Sequence, residues 1–188
     1  MSAVMQRNPI RARALDWLSE RPLYLDTETT GLDNQAEVIE VAILDHTGKP
    51  LLDTLVKPTR PIPRAATDVH GITNEDVAQA PTFPAIYERV AFLMTVRRTV
   101  IYNAEYDLRL LRQSARQWGV RPIHLEAHCA MLLYAEHYGE WDDRRNSFRW
   151  QRLMNAARQC GLDIPMNLHR ASADAELTRQ LVHYMAGG

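Results

Sequence analysis

Short apolar blocks bounded by polar or glycine turns fill the first third of the chain, and apolar residues recurring every three to four positions dominate the remaining two thirds. Leu23, Tyr24 and Leu25 lead into Asp26-Thr27-Glu28-Thr29-Thr30-Gly31, which predicts a strand running into a glycine turn. Residues 37–44 predict a second strand, Asp45-His46-Thr47-Gly48 closes it, and residues 51–56 return, giving a three-stranded meander. Pro58, Pro61 and Pro63 interrupt regular structure. Helices are then expected at 74–79 and 83–94, a strand at 99–102, and a helix from an Asn103 cap to about residue 118. A short strand at 123–125 and helices at 127–138, 151–160 and 171–185 complete the pattern. A meander followed by strand–helix alternation places the chain in the α/β class. Residues 1–20 stand ahead as an extension, with a short basic helix at 10–18 expected to pack through Ala14, Leu15 and Leu18; residues 21–188 read as a single domain.

The polar residues that break these patterns carry the chemistry. In an extended strand Asp26 and Glu28 point to the same face, with Cα atoms roughly 6 to 7 Å apart. Like charges that close repel unless a cation sits between them, and a hard divalent ion favours carboxylate oxygens; a solvated acidic edge strand is the alternative. On the helix at 103–118 the inward stripe falls on Asp107, Leu110, Leu111, Ser114 and Trp118, with Arg109, Arg112, Gln113 and Arg116 opposite. The last helix repeats the arrangement with Asp174, Leu177, Thr178, Leu181 and Met185 inside, and Glu176, Arg179 and His183 outside. Asp107 and Asp174 therefore occupy core positions, where an unpartnered carboxylate is costly. Each also suits a first-turn acid answering its helix dipole, worth about 0.3 to 1 kcal/mol. His169 precedes Asp174 by five residues, in a loop that Pro165 and Asn167 help to define.

These segments resemble a known family. Asp26-Thr27-Glu28-Thr29-Thr30-Gly31, Asn103-Ala104-Glu105-Tyr106-Asp107 and His169-Arg170-Ala171-Ser172-Ala173-Asp174 are similar to the three motifs of the DEDD exonucleases. The interval from His169 to Asp174 resembles the histidine subclass, DEDDh, and His70-Gly71-Ile72 is also similar to that family's pattern. The match spans about residues 23–185. The resemblance implies a ribonuclease H-like fold, a mixed five-stranded sheet flanked by helices with the first-motif strand central. It also implies that Asp26, Glu28, Asp107 and Asp174 hold two divalent ions, Mg²⁺ with Mn²⁺ substituting, and that His169 is the general base. Such a pair of ions suits a phosphodiester, whose anion repels a nucleophile and whose leaving 3′ oxygen needs its charge neutralised. By the same resemblance Thr29, Leu32, His70, Ile72 and Tyr106 contact the substrate end, although core or loop roles suit them equally. Tyr106 stands where phenylalanine is more usual, and Cys129-Ala130-Met131 where an Asp-Thr pair is common. Glu40 interrupts an apolar strand and is read as facing solvent or pairing with an arginine, outside the site.

Bulk properties narrow the setting. At 188 residues, 46% hydrophobic and 24% charged, the chain suits a domain with a sizeable core. No apolar run approaches the roughly 18 residues of a membrane span. A net charge of −1 argues against coating nucleic acid through bulk positive charge. Of 22 basic residues only Lys49 and Lys57 are lysine, and arginine forks suit phosphate, as a biased genome also would. Arg144-Arg145-Asn146-Ser147-Phe148-Arg149-Trp150 mixes guanidinium groups with rings, which suits a single strand or a solvated loop. Residues 1–10 show no secretory signal pattern, and Cys129 and Cys160 set neither a disulfide framework nor metal-ligand spacing, so the cytoplasm is the expected compartment. Three functions are open: a 3′–5′ exonuclease on DNA, the favoured one; the same chemistry on RNA or short oligoribonucleotides; and a nuclease-like domain that only binds. The expected partner is nucleic acid with a free 3′ end, with no membrane and a homodimer left open.

Overall fold

The computed structural model describes residues 8–166 and 169–187. Its elements in chain order are α1 (Pro9–Ser19), β1 (Leu23–Thr29), β2 (Val38–Leu44), β3 (Pro50–Leu55), α2 (Arg64–His70), α3 (Asn74–Val77), α4 (Phe83–Val96), β4 (Thr99–Ile101), α5 (Ala104–Gln117), β5 (His128–Cys129), α6 (Ala130–Tyr138), β6 (Trp141–Asp142), β7 (Ser147–Phe148), α7 (Leu153–Gln159) and α8 (Ala171–Met185). Five strands form one sheet in the order β3-β2-β1-β4-β5. β1 lies at its centre, antiparallel to β2 and parallel to β4. The sheet is mixed and flanked by helices, as the ribonuclease H-like expectation required.

Alternation along β1 divides the molecule into two layers. Leu23 and Leu25 pack with Phe83 and Val90 of α4 and Leu110 and Leu111 of α5. Tyr24 packs on the other face with Trp17 of α1, Leu133 of α6 and Leu181 of α8. Every position of β2 is buried, because both of its faces are covered. The strand alternation therefore carries Asp26 and Glu28 toward α8, and Thr27 and Thr29 toward α5. Glu28 pairs with Glu40, the next pair is Thr29 with Val38, and Ile39 is the extra residue of a β-bulge. There Ser114 of α5 accepts the N–H of Val38 at 2.9 Å, which explains a hydroxyl in the core stripe.

Several expectations need correction. The fifth strand is β5, not residues 123–125, because the parallel partners of Val100 and Ile101 are His128 and Cys129. Leu125 is apolar for core packing, and Ile123 donates its N–H to the Tyr87 hydroxyl. α6 consequently begins at Ala130. α1 buries Ile10, Ala14 and Trp17 while Leu15 faces solvent, since the large Trp17 ring docks 4.8 Å from the ring of His128 and sets the helix's rotation. α2 was not expected after three prolines; Pro63 caps its start and Gly71, at φ 76°, ends it in the left-handed conformation. α3 stops at Val77, held by a capping box between Thr73 and Asp76. Residues 144–150 are largely exposed, and within them Ser147–Phe148 is β7, paired with β6 across the turn at 143–146.

Candidate active site

The C-terminal end of β1 is where the acids meet. β1 presents Asp26 and Glu28, α8 brings Asp174 in its first turn, and α5 brings Asp107 in its first turn from the opposite layer. Glu28, His169 and Asp174 each offer one ligand atom, all within 4.8 Å of one another. Asp107 and Asp174 are buried. The Thr27 hydroxyl donates to Asp107 Oδ1 at 2.7 Å, tying the second motif to the first.

Burial and mutual repulsion hold these groups far from ordinary carboxylate behaviour. Burial pushes Glu28 up to about 8, with the charges of Asp174, Glu40 and Asp107 adding to it. Asp107 is pushed up to about 7 by burial, against the hydrogen bond from Thr27. Asp26 is raised well above the carboxylate range, by burial first and then by Asp107, Asp174 and Glu28. Asp174 is also raised by burial, opposed by the backbone N–H and ring of His169. Among the described residues no arginine or lysine pairs with Asp26, Glu28 or Asp107. A crowded set of oxygen donors without a basic partner fits hard divalent cations.

His169 adopts a φ of 66°, the left-handed region that non-glycine residues seldom enter. Its N–H reaches Asp174 Oδ1 at 3.4 Å, and its ring Nδ1 lies 4.0 Å from Asp174 Oδ2. The half-exposed ring thus stands over the carboxylates. Asn167, expected to help define this loop, lies outside the described residues.

Glu40, which strand patterning placed outside the site, belongs beside it. It is buried next to Glu28, and both its oxygens bind Arg170, with Nε to Oε1 at 3.0 Å. Oε2 also accepts the N–H of Ala171 at 2.9 Å. α8 has no local side-chain cap, so Glu40 caps it from across the sheet and thereby seats Asp174. The signal in the sequence was a charge inside an otherwise apolar strand. Arg170→Ala should leave Glu40 buried and unpaired. The expected cost is about 2 kcal/mol, below a fully buried pair's because Arg170 is 43% exposed. A thermal melt should show a drop of several degrees.

Beside Glu28 a cavity of about 610 Å³ is lined by Thr29, Leu32, His70 and Tyr106, with Val69 and Pro63 among its walls. Leu32 stands at the rim, 80% exposed. The Tyr106 hydroxyl meets Thr29 Oγ1 at 2.7 Å and donates to the Gly31 carbonyl at 2.9 Å, so its departure from phenylalanine ties down the turn after β1. Arg109 and Gln113, read as outward, donate to the carbonyls of Leu32, Asp33 and Ala36 and hold the same turn. His70 Nδ1 accepts the N–H of Ile72 at 3.0 Å. Among the described residues its Nε2 has no partner at hydrogen-bonding geometry; burial lowers the imidazole's pKa and the nearby Thr29 backbone opposes that shift. Ile72 is not brought into the cavity: it is 3% exposed among Ile39, Ile62 and Val77, and bears on the site through its hold on His70.

The sequence and the fold both resemble those of known proteins. The exonuclease family model RNase_T covers residues 23–182. An uncharacterized exonuclease, CP81 of Escherichia phage 186, is 42% identical over 185 residues, 95% of each chain. Exonuclease X in complex with 5′ overhanging duplex DNA superposes with a TM-score of 0.66 at 25% identity, covering 88% of this chain and 90% of that one. The nuclease domain of 3′hExo, described as a DEDDh family member bound to rAMP, shares the fold with a TM-score of 0.67 at 16% identity, covering 90% and 93%. With the family model spanning its sheet and its acids, and an exonuclease aligned along nearly its whole length, the chain belongs to the DnaQ-like 3′–5′ exonucleases.

Proposed function

We propose that this enzyme removes nucleoside 5′-monophosphates from the 3′ end of single-stranded or frayed DNA in a divalent-metal-dependent reaction. The observation that carries the reading is the meeting of Glu28, His169 and Asp174 ligand atoms within 4.8 Å, beside a cavity of nucleotide size. Asp26, Glu28, Asp107 and Asp174 would hold two cations, Mg²⁺ with Mn²⁺ substituting. When bound, these supply the positive charge that offsets the phosphate's repulsion of a nucleophile and the charge developing on the leaving 3′ oxygen. His169 takes the proton of the attacking water, its backbone bond to Asp174 fixing the ring beside the phosphate. Thr29, Leu32, His70 and Tyr106 receive the terminal nucleoside, and Ile72 keeps His70 in place.

DNA is favoured by the likeness to exonuclease X, which is solved with duplex DNA bound. The ribonucleotide in 3′hExo keeps an exoribonuclease or oligoribonuclease as the second reading. A reducing compartment, taken as the cytoplasm, suits the two free thiols of Cys129 and Cys160. Among the described residues no helix is long and apolar enough to cross a membrane.

End-labelled single-stranded DNA, duplex DNA, RNA and a short oligoribonucleotide, compared with Mg²⁺, Mn²⁺ and EDTA, separate these readings. The expected order is DNA above RNA, with none cut in EDTA; RNA above DNA would transfer the enzyme to the second reading. Direction is tested alongside: linear strands should be degraded, strands ending in a 3′-phosphate should stall, and circular single strands should survive. Cutting of circles would reject an exonuclease.

A further inference from the structure

Asp26, Glu28, Asp107 and Asp174 all stand on strands or helices, whereas His169 is carried by the loop that leads into α8. Its φ of 66° lies where a residue with a Cβ is disfavoured, so the kink persists only if its surroundings over-determine it. The ring's place over the carboxylates depends on that kink.

The restraints lie on the three residues that begin with His169. On its N-terminal side the His169 N–H reaches Asp174 Oδ1 at 3.4 Å, a long and therefore weak bond. On its C-terminal side the hold is stronger. Arg170, extended at φ −121° and ψ 132°, donates from Nε to both oxygens of Glu40, at 3.0 and 3.2 Å. The next residue, Ala171, donates its N–H to Glu40 Oε2 at 2.9 Å. Glu40 is a fixed anchor, 2% exposed on a strand buried along its whole length. The two contacts with Glu40 have separate consequences. The Ala171 bond is a backbone bond that caps α8 and seats Asp174, and it survives any change of side chain at residue 170. The Arg170 fork fixes the residue that follows the kink, and with it the direction in which the His169 carbonyl leaves.

We propose that Arg170, clamped on Glu40, is a positioning residue for the reaction: it holds the left-handed kink that keeps the His169 ring over the carboxylates. The assignment rests on the general-base reading of His169. It predicts that truncating Arg170 frees the ring while leaving Asp174 where it is.

The test is a double-mutant cycle. Release of the first nucleotide from single-stranded DNA in saturating Mg²⁺ is measured below the melting transitions for the wild type, Arg170→Ala, His169→Ala and the double variant, and Mg²⁺ binding is followed by calorimetry without DNA. Arg170→Ala should lower kcat about 10- to 100-fold, the scale of a catalytic group displaced by about an ångström, with KM and Mg²⁺ affinity within about twofold of the wild type. In the His169→Ala background the same change should cost less than about twofold, as expected of two residues that act through one group. Arg170→Lys keeps a cation against Glu40 and so guards against loss of the fold. It lacks the fork, and its loss of kcat should be smaller and should again vanish without His169. Wild-type kcat in both Arg170 variants, or a loss undiminished in the His169→Ala background, would overturn the positioning role and leave the general base intact. A rise in KM in place of a fall in kcat would overturn it in favour of a substrate contact, and weakened Mg²⁺ binding in favour of a hold on Asp174. Undiminished kcat in His169→Ala would instead remove the general base, and the positioning role with it.

Discussion

Asp107→Ala should lower exonuclease turnover by about 10³-fold or more, the equivalent of the several kcal/mol that cation stabilisation contributes to a phosphoryl transition state. Asp26→Ala, Glu28→Ala and Asp174→Ala should fall as far, because the four carboxylates are proposed to hold the ions together. Asp107 is the most informative of them, since it arrives from the α5 layer and would otherwise be read as a first-turn helix acid. The same crowding makes an opposite prediction for stability. Glu28 and Asp107, pushed up to about 8 and about 7, bind more protons in the folded state than in the unfolded one between pH 4 and those values. Metal-free stability should therefore be greatest below about pH 4 as far as these groups are concerned, and should decline as pH rises through 7 to 8. Asp107→Asn keeps an acceptor for the Thr27 hydroxyl while removing the charge. In metal-free buffer at pH 8 it should melt at or above the parent, with a flatter dependence on pH. Calorimetry across pH 5 to 8, with and without Mg²⁺, reads both effects. Full turnover in Asp107→Ala would remove this carboxylate from the site.

The second large effect belongs to His169. His169→Ala should lower turnover by roughly 10² to 10⁴-fold, the usual worth of a positioned proton transfer. Metal affinity should barely move. The variant, relying on bulk water or hydroxide, should respond to pH differently from the parent, and because water bound to a cation can itself titrate, the difference between the two profiles decides. The ring stands 4.0 Å from Asp174 Oδ2, a geometry that also permits it to be a ligand. Loss of Mg²⁺ binding in His169→Ala, or an unchanged rate and pH profile, would take the general-base role from it.

Periodicity carried most of the placement of the candidate site's residues. A period of two placed Asp26 and Glu28 on one face of β1, and a period near 3.6 placed Asp107 and Asp174 on the buried faces of α5 and α8. What periodicity lacks is partners. Glu40 looked like a stray charge because Arg170 and Ala171, which it binds, stand 130 and 131 residues further along the chain. The position of β5 was missed for a similar reason: its two residues are defined by parallel pairing to Val100 and Ile101, and the apolar signal at Ile123 and Leu125 reports the core packing of Leu125 and the bond from Ile123 to Tyr87. For α1 the face was chosen by the contact of Trp17 with His128, which no pattern within residues 10–18 encodes. Ile72 read as a pocket residue because His70 beside it is one, yet its side chain completes the small core around Ile39.

The decisive measurement is a time course on a single-stranded DNA labelled at its 5′ end, resolved on a denaturing gel with Mg²⁺ and with EDTA. A metal-dependent 3′–5′ exonuclease should give a ladder that shortens one nucleotide at a time from the 3′ end, release of nucleoside 5′-monophosphates, and no change in EDTA. Internal fragments without a ladder, or a ladder undiminished by EDTA, would contradict that assignment.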